Sequence, residues 1–264
     1  MANNSHKTTM RVVSWNYQGL GSTLTVQVLK GHMEKYDPDI VFLMETKNSK
    51  EVVEKVRRRM KFVNGMTVDP NGLSGGLALW WKEDINVQMM VSSKNLIDTY
   101  IVFQGCEMGC RVFWVYGASV YEERKVVWDV IKGKARYIQG AWMCIGDFND
   151  ILLYSEKQGG RLKEKRKVES FAEMVNVCQL NDAMFQGQQF TWFGVKKGVM
   201  IKERLDRALT NLEWQENFPK IQVFNLQVVG IDHSPIVVDT EYRDKKSPSL
   251  GLRLDGWIMR IVKK

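Results

Sequence analysis

Asp39-Ile40-Val41-Phe42-Leu43-Met44 is a continuous apolar run of strand length, and it stops on a carboxylate, Glu45. Upstream, Arg11-Val12-Val13-Ser14-Trp15 is a second short strand, followed by Asn16 and a turn holding Gly19 and Gly21. Between the two, Leu24, Val28 and Leu29 recur at helical spacing, which predicts a helix over 23–36 that Asp37-Pro38 terminates. Downstream, 50–60 again has helical periodicity. A strand–helix–strand–helix opening points to an α/β protein.

Further along, 75–81, 85–91, 96–104 and 111–116 are short apolar runs separated by turn residues, a series that predicts antiparallel neighbours. A charged helix is expected over 122–139, a buried strand over 141–145, and a basic helix over 165–178 after Gly159-Gly160. Strand-like segments follow at 189–193, 204–209, 221–229 and 235–240. With no tandem repeat and no low-complexity linker, one domain over 10–240 is expected, with a disordered polar leader at 1–9 and a charged tail at 241–264.

The 264 residues are 44% hydrophobic, enough for a sizeable core, and 26% charged. Lys and Arg number 38 against 30 Asp and Glu, a net charge of +8. A basic excess suits a polyanionic partner, because neutralising phosphates releases condensed counterions, although it can also serve solubility alone. Cys106, Cys110, Cys144 and Cys178 form no zinc-type spacing, so a reduced intracellular setting is expected rather than a disulfide framework. The leader has no apolar signal region, and no stretch approaches the ~20 apolar residues of a membrane span.

Polar residues recur just past apolar strands. Asn16 follows Trp15, Glu45 follows Met44, Asp147 and Asn149 follow Ile145, and Asp232-His233 precede Ile236-Val237-Val238. Strand ends are where α/β folds assemble their sites, and also where ordinary turns place Asp and Asn. Of the histidines, His6 lies in the leader and His32 in a charged helix, which leaves His233 in a motif. Asp206 supplies a carboxylate that would hold its ring in one tautomer.

The ordered set Ser14–Leu20, Leu43–Lys47, Tyr116 in Val-Tyr-Gly, Gly146–Asn149, Arg204–Arg207 and Asp232–Pro235 resembles the endonuclease/exonuclease/phosphatase superfamily. Gly75–Trp81 and Phe190-Thr191-Trp192 make the chain most similar to the apurinic-type endonuclease domain of plant non-LTR retrotransposons. The resemblance spans about 10–240. It implies a DNase I-like four-layer α/β sandwich of two facing mixed sheets flanked by helices, and a Mg2+-dependent phosphodiesterase (Mn2+ being the alternative ion) that nicks DNA. It further implies a nuclear location and no membrane partner.

On this resemblance Glu45 is the main metal ligand and Asp232 a second metal-side or supporting carboxylate. Asp147 orients or deprotonates the attacking water, with His233 the alternative base, Asn16 and Asn149 fix carboxylate, metal water and phosphate by hydrogen bonds, and Asp206–His233 contact the scissile phosphate. Tyr116 sets its hydroxyl against the phosphate or is simply a core tyrosine. Thr191 and Trp192 border the substrate groove, and Arg207 adds a basic group, or else makes a surface ion pair. Two positions depart from the family pattern: Gln18 replaces an acidic residue found in abasic-site repair enzymes, and Ile231 replaces the usual Ser before Asp-His. A phosphatase or RNA-directed nuclease of the same fold, and a decayed nucleic-acid-binding relic, are the competing readings.

Overall fold

The computed structural model describes residues 9–21, 23–72, 74–104, 106–227 and 231–242. In chain order these form β1 (Arg11–Asn16), α1 (Thr23–Tyr36), β2 (Ile40–Met44), α2 (Lys50–Arg59), β3 (Asn64–Val68), β4 (Leu77–Trp81), β5 (Asn86–Ser92), β6 (Leu96–Phe103) and β7 (Cys106–Tyr116). There follow α3 (Tyr121–Ala135), β8 (Trp142–Asp147), β9 (Lys157–Gln158), α4 (Lys165–Val177), β10 (Asn181–Asp182), β11 (Phe185–Gly187), β12 (Trp192–Lys196), β13 (Val199–Glu203), β14 (Asp206–Thr210), α5 (Leu212–Asn217), β15 (Gln222–Asn225) and β16 (Ile236–Asp239).

Two mixed sheets carry the molecule, one of seven strands in the order β11-β15-β16-β1-β2-β4-β3 and one of six in the order β10-β14-β8-β7-β6-β5. Side-chain alternation explains why β2, 142–145 of β8 and 112–115 of β7 are apolar. In β2, Ile40, Phe42 and Met44 enter the core between the sheets, while Val41 and Leu43 join Val26 and Leu29 of α1 and Val53 and Val56 of α2 on the outer face. In β7 and β8, Val112, Trp114, Met143 and Ile145 point inward, while Phe113, Val115 and Cys144 pack with Trp128 of α3 and Phe171 of α4. A strand covered on both faces has no position for a polar residue until it reaches a rim. The result is the four-layer α/β sandwich expected. Cys106, Cys110, Cys144 and Cys178 are all buried, and none forms a disulfide.

Several details differ from the sequence reading. In α1 the buried face is Val26, Leu29, His32 and Met33, and Leu24 is exposed. Strand β3 was not foreseen, because all five of its residues are only half-buried and give no alternation. The expected strand at 189–193 shifts to β12, which pairs with β13 in a separate three-stranded sheet completed by β9. Strand β15 ends at Asn225; Val228 and Val229, expected to extend it, lie outside the described residues, as do most of the leader and tail.

Candidate active site

Two of the parallel pairings, β1 with β2 and β7 with β8, bring four strand C-termini to one rim. Asn16 lies opposite Met44, which places Glu45 beside it, and Tyr116 lies opposite Asp147. Antiparallel β14 starts at that rim, with Asp206 opposite Asp147. Strand β16 runs antiparallel to β1, so His233, three residues before it, comes to the same edge. The sheets meet there: the Asp147 N–H lies 3.3 Å from Sδ of Met44 in the other sheet.

At the centre is a hydrogen-bonded cluster. His233 Nδ1 is 3.0 Å from Asp206 Oδ2, and its Nε2 is 3.7 Å from Asp147 Oδ2. Asn16 Nδ2 donates to the same Asp147 oxygen at 2.9 Å, and the Asn149 N–H donates to Asp147 Oδ1 at 2.8 Å. Asn149 is tied by Nδ2 to the Gly117 carbonyl at 2.7 Å. Asp147, Asp206 and His233 are almost wholly buried. Burial by itself would lower the His233 pKa, but the carboxylates of Asp206 and Asp147 override it and raise the value to about 9. Burial is the main cause that lifts Asp147 to about 6, opposed by the His233 charge and the Asn16 hydrogen bond. Both carboxylates thus favour the charged form of the imidazole, and its Nε2 lies 3.7 Å from Asp147 Oδ2, beyond hydrogen-bond distance.

A second polar chain runs beside this cluster. Tyr116 donates its hydroxyl to Glu45 Oε1, and Lys47 Nζ lies 3.1 Å from Glu45 Oε2. Lys47 also donates to Gln18 Oε1 at 3.1 Å, and Gln18 Nε2 donates to Asp232 Oδ2 at 3.4 Å. The same Asp232 oxygen accepts the Trp192 indole N–H at 3.0 Å. Burial and the neighbouring Glu45 carboxylate raise the Tyr116 pKa, so its hydroxyl stays protonated. Gln18, Glu45, Lys47 and Asn149 all hold left-handed backbone, with φ of 50°, 55°, 53° and 51°. Each costs roughly 1–2 kcal/mol for an L residue, and such strain concentrates at functional sites. The turn at Gly75-Gly76 holds this segment through Gly76 O to Thr46 N–H (3.2 Å) and Gly75 O to Lys47 N–H (3.1 Å); a side chain at Gly76 would strike Thr46.

The donor set suits a hard divalent cation. Glu45 presents a largely buried carboxylate to the cleft, and Asn16 Oδ1 and Asp206 Oδ1 are buried acceptors with no partner among the described residues. Mg2+ needs only one or two carboxylates and keeps several waters. Asp147, Asp206 and His233 also bring one ligand atom each within 4.8 Å of one another, a grouping that could hold an ion. A cationic partner stands at each grouping, His233 at one and Lys47 at Glu45, so charge does not separate them; the oxygen-only donors Glu45 and Asn16 suit Mg2+ better than a set that includes an imidazole.

Asn16, Gln18, Glu45, Tyr116, Asn149, Trp192 and His233 line one open cleft of about 1030 Å3. Its far wall carries Lys157, Arg161, Lys163, Lys167 and Lys196. Lys157 and Lys163 share Glu203, at 2.5 and 2.9 Å, and Lys163 also lies 3.5 Å from Asp150, whereas Arg161 and Lys196 are exposed and make no ion pair among the described residues.

Two expected substrate contacts lie elsewhere. Arg207 is fully buried, bound to Glu156 at 2.8 Å and Asp182 at 2.9 Å, because two carboxylates from distant segments compensate its charge in the interior. Thr191 is also fully buried, and its Oγ1 accepts the N–H groups of Leu205 and Asp206, both at 2.9 Å. It fixes Asp206 rather than facing a groove. Asp232, expected at the metal, is held by Trp192 and Gln18. Lys47, part of the Leu43–Lys47 motif but given no role from the sequence, sits at the centre of the polar chain; its place two residues after Glu45 was the available signal.

A family model described as the Endonuclease/Exonuclease/phosphatase family matches residues 13–224. No curated protein matches. Among solved structures, an AP endonuclease from Archaeoglobus fulgidus superposes with a TM-score of 0.67 at 13% identity, over 87% of this chain and 98% of the other. The 3′ phosphatase NExo from Neisseria, bound to product DNA hairpin, gives 0.63 at 15% identity, over 87% and 98%. The endonuclease domain of TRAS1, a telomere-specific non-LTR retrotransposon, gives 0.62 at 14% identity, over 90% and 100%. At these identities the likeness is one of fold.

Proposed function

The chain belongs to the Endonuclease/Exonuclease/phosphatase family, and on that premise we propose that it is a Mg2+-dependent phosphodiesterase that nicks DNA. The observation that carries this reading is the buried Asp206–His233–Asp147–Asn16 cluster opening on the same cleft as Glu45. Glu45 would hold the cation, with Asn16 Oδ1, which has no partner among the described residues, as a further oxygen. Bound Mg2+ neutralises charge on the phosphate oxygens. Asp147 orients the attacking water and takes its proton; a pKa near 6 suits a base working near neutrality. The His233 imidazolium, held by Asp206, donates Nε2–H to a phosphate oxygen. Asn16 and Asn149 keep the Asp147 carboxylate in place.

DNA as the substrate is supported by the net charge of +8 and by the unpaired Arg161 and Lys196 on the cleft wall. Trp192 offers a flat surface at the rim for a base or sugar. A retrotransposon origin is supported by the Gly75–Trp81 and Phe190–Trp192 segments, and a nuclear location follows from a DNA substrate. Supercoiled plasmid should be nicked in Mg2+ and spared in EDTA, and Asp147→Ala should lose about 10²–10⁴-fold in rate. EDTA-resistant nicking, or an undiminished Asp147→Ala variant, would refute the assignment. Poly(A) and a soluble inositol phosphate in the same panel separate the RNA-directed and phosphatase readings.

A further inference from the structure

Asn149 carries two of the bonds that shape the site: its N–H holds Asp147 Oδ1 at 2.8 Å, and its Nδ2 holds the Gly117 carbonyl at 2.7 Å. Its left-handed backbone, φ 51°, persists in an L residue only where the surroundings enforce it. The two loops that enforce it meet on one guanidinium. Arg124, near the start of α3, donates Nη1 to the carbonyls of Ala118 (2.6 Å) and Ser119 (3.1 Å), the residues directly after Gly117. Its Nε and Nη2 donate to Oδ2 of Asp150, the residue directly after Asn149, at 3.2 and 3.1 Å. The other Asp150 oxygen accepts the Ile151 N–H at 3.1 Å and lies 3.5 Å from Lys163 Nζ. Between these loops there is no slack: a Cβ at Gly117 would strike the Phe148 carbonyl. Arg124 therefore fixes the separation of the two segments that Asn149 spans.

We propose that Arg124 and Asp150 are positioning residues for phosphodiester cleavage, holding Asn149 so that its N–H keeps the Asp147 carboxylate aimed at the attacking water. The inference rests on the reading that Asp147 handles that water. Arg124 borders the cleft, but its side chain is only 5% exposed and its donors are engaged within the protein, so it acts through Asn149 rather than on a phosphate. A buried ion pair often adds no more stability than apolar residues of the same volume. What this pair supplies is geometry, because a planar guanidinium bridges a carboxylate and two carbonyls at fixed angles, and an ammonium cannot.

Plasmid nicking by the full chain, with kcat and KM separated, tests this together with DNA binding in EDTA and amide hydrogen exchange. Arg124→Met with Asp150→Asn removes both charges, so neither is stranded in the interior. Its kcat should fall about 10–10²-fold, the scale for misplacing a catalytic group by about an ångström. KM, DNA affinity and its salt slope should stay as in wild type. The Asn149 amide should exchange faster while the amides of β8 keep their protection, a local loosening that general destabilisation would not produce. Arg124→Lys, which keeps the buried charge and so the fold, should show the same pattern with a smaller loss. Wild-type kcat in both variants overturns the proposal. So does a loss confined to KM with a salt slope lowered by about one, which would make Arg124 a phosphate contact. Asp147→Ala in the same assay keeps the two readings apart: undiminished nicking there sinks the assignment of Asp147 itself, whereas its loss alongside fully active Arg124 variants sinks only the positioning role.

Discussion

His233 shows how environment sets chemistry at the scale of one residue. Its pKa is raised to about 9 because two carboxylates outweigh the cost of burying its charge, whereas His32, buried against Trp15 without a carboxylate, falls to about 4. An imidazole nitrogen NMR titration of the metal-free protein should therefore find His233 charged and His32 neutral at pH 7. Asp206→Asn should lower the His233 midpoint by at least about one unit; an unmoved midpoint would deny the pairing. Because the folded pKa lies above the unfolded value, the His233 charge adds stability that is complete below about pH 6.5 and is lost as pH rises through about 9. Arg207 makes the opposite point about legibility. A sequence shows that it follows Asp206, but not that Glu156 and Asp182 will enclose it. Arg207→Met should cost about 1–3 kcal/mol in urea unfolding by leaving Arg204 as the one cation paired to both carboxylates, with DNA affinity per folded molecule unchanged; an unaltered stability with weakened DNA binding would restore the substrate-contact reading.

Elements whose burial is complete on both faces were readable in advance. Strands β1, β2, β7 and β8 are apolar because each lies between the inter-sheet core and an outer helical layer, and the first polar residue therefore marks the rim. That is why Asn16, Glu45 and Asp147 could be found by inspection. Strands β3, β9 and β13 are partly or largely solvated, and their sequences carry no comparable pattern. Thr191 belongs to the same class of difficulty: it precedes β12 yet acts on β14, 15 residues later, through two backbone N–H groups. Thr191→Val removes that acceptor and should cost about 2 kcal/mol or more by leaving buried donors unpaired. Chemical denaturation of the variant checks this, and a midpoint equal to that of wild type would show that the clamp is unimportant.

At the scale of the molecule, the site exists because two sheets present matching rims. Asn16, Glu45 and His233 come from the seven-stranded sheet and its loops, while Asp147, Tyr116 and Asp206 come from the six-stranded one. The charge has a similar division: the cleft wall formed by 157–167 and the β12–β13 hairpin is basic, and only part of that charge is paired internally. DNA affinity should fall steeply with salt, and Arg161→Ala and Lys196→Ala should each reduce the log–log slope by about one; unchanged slopes would place the nucleic acid elsewhere. No helix among the described residues is long and apolar enough to cross a membrane. The most direct measurement is anomalous scattering from crystals grown with Mn2+ and a short phosphorothioate oligonucleotide. The ion should lie on Glu45, and one phosphate should bridge it to His233 Nε2. An ion or a phosphate bound away from that rim would contradict the account.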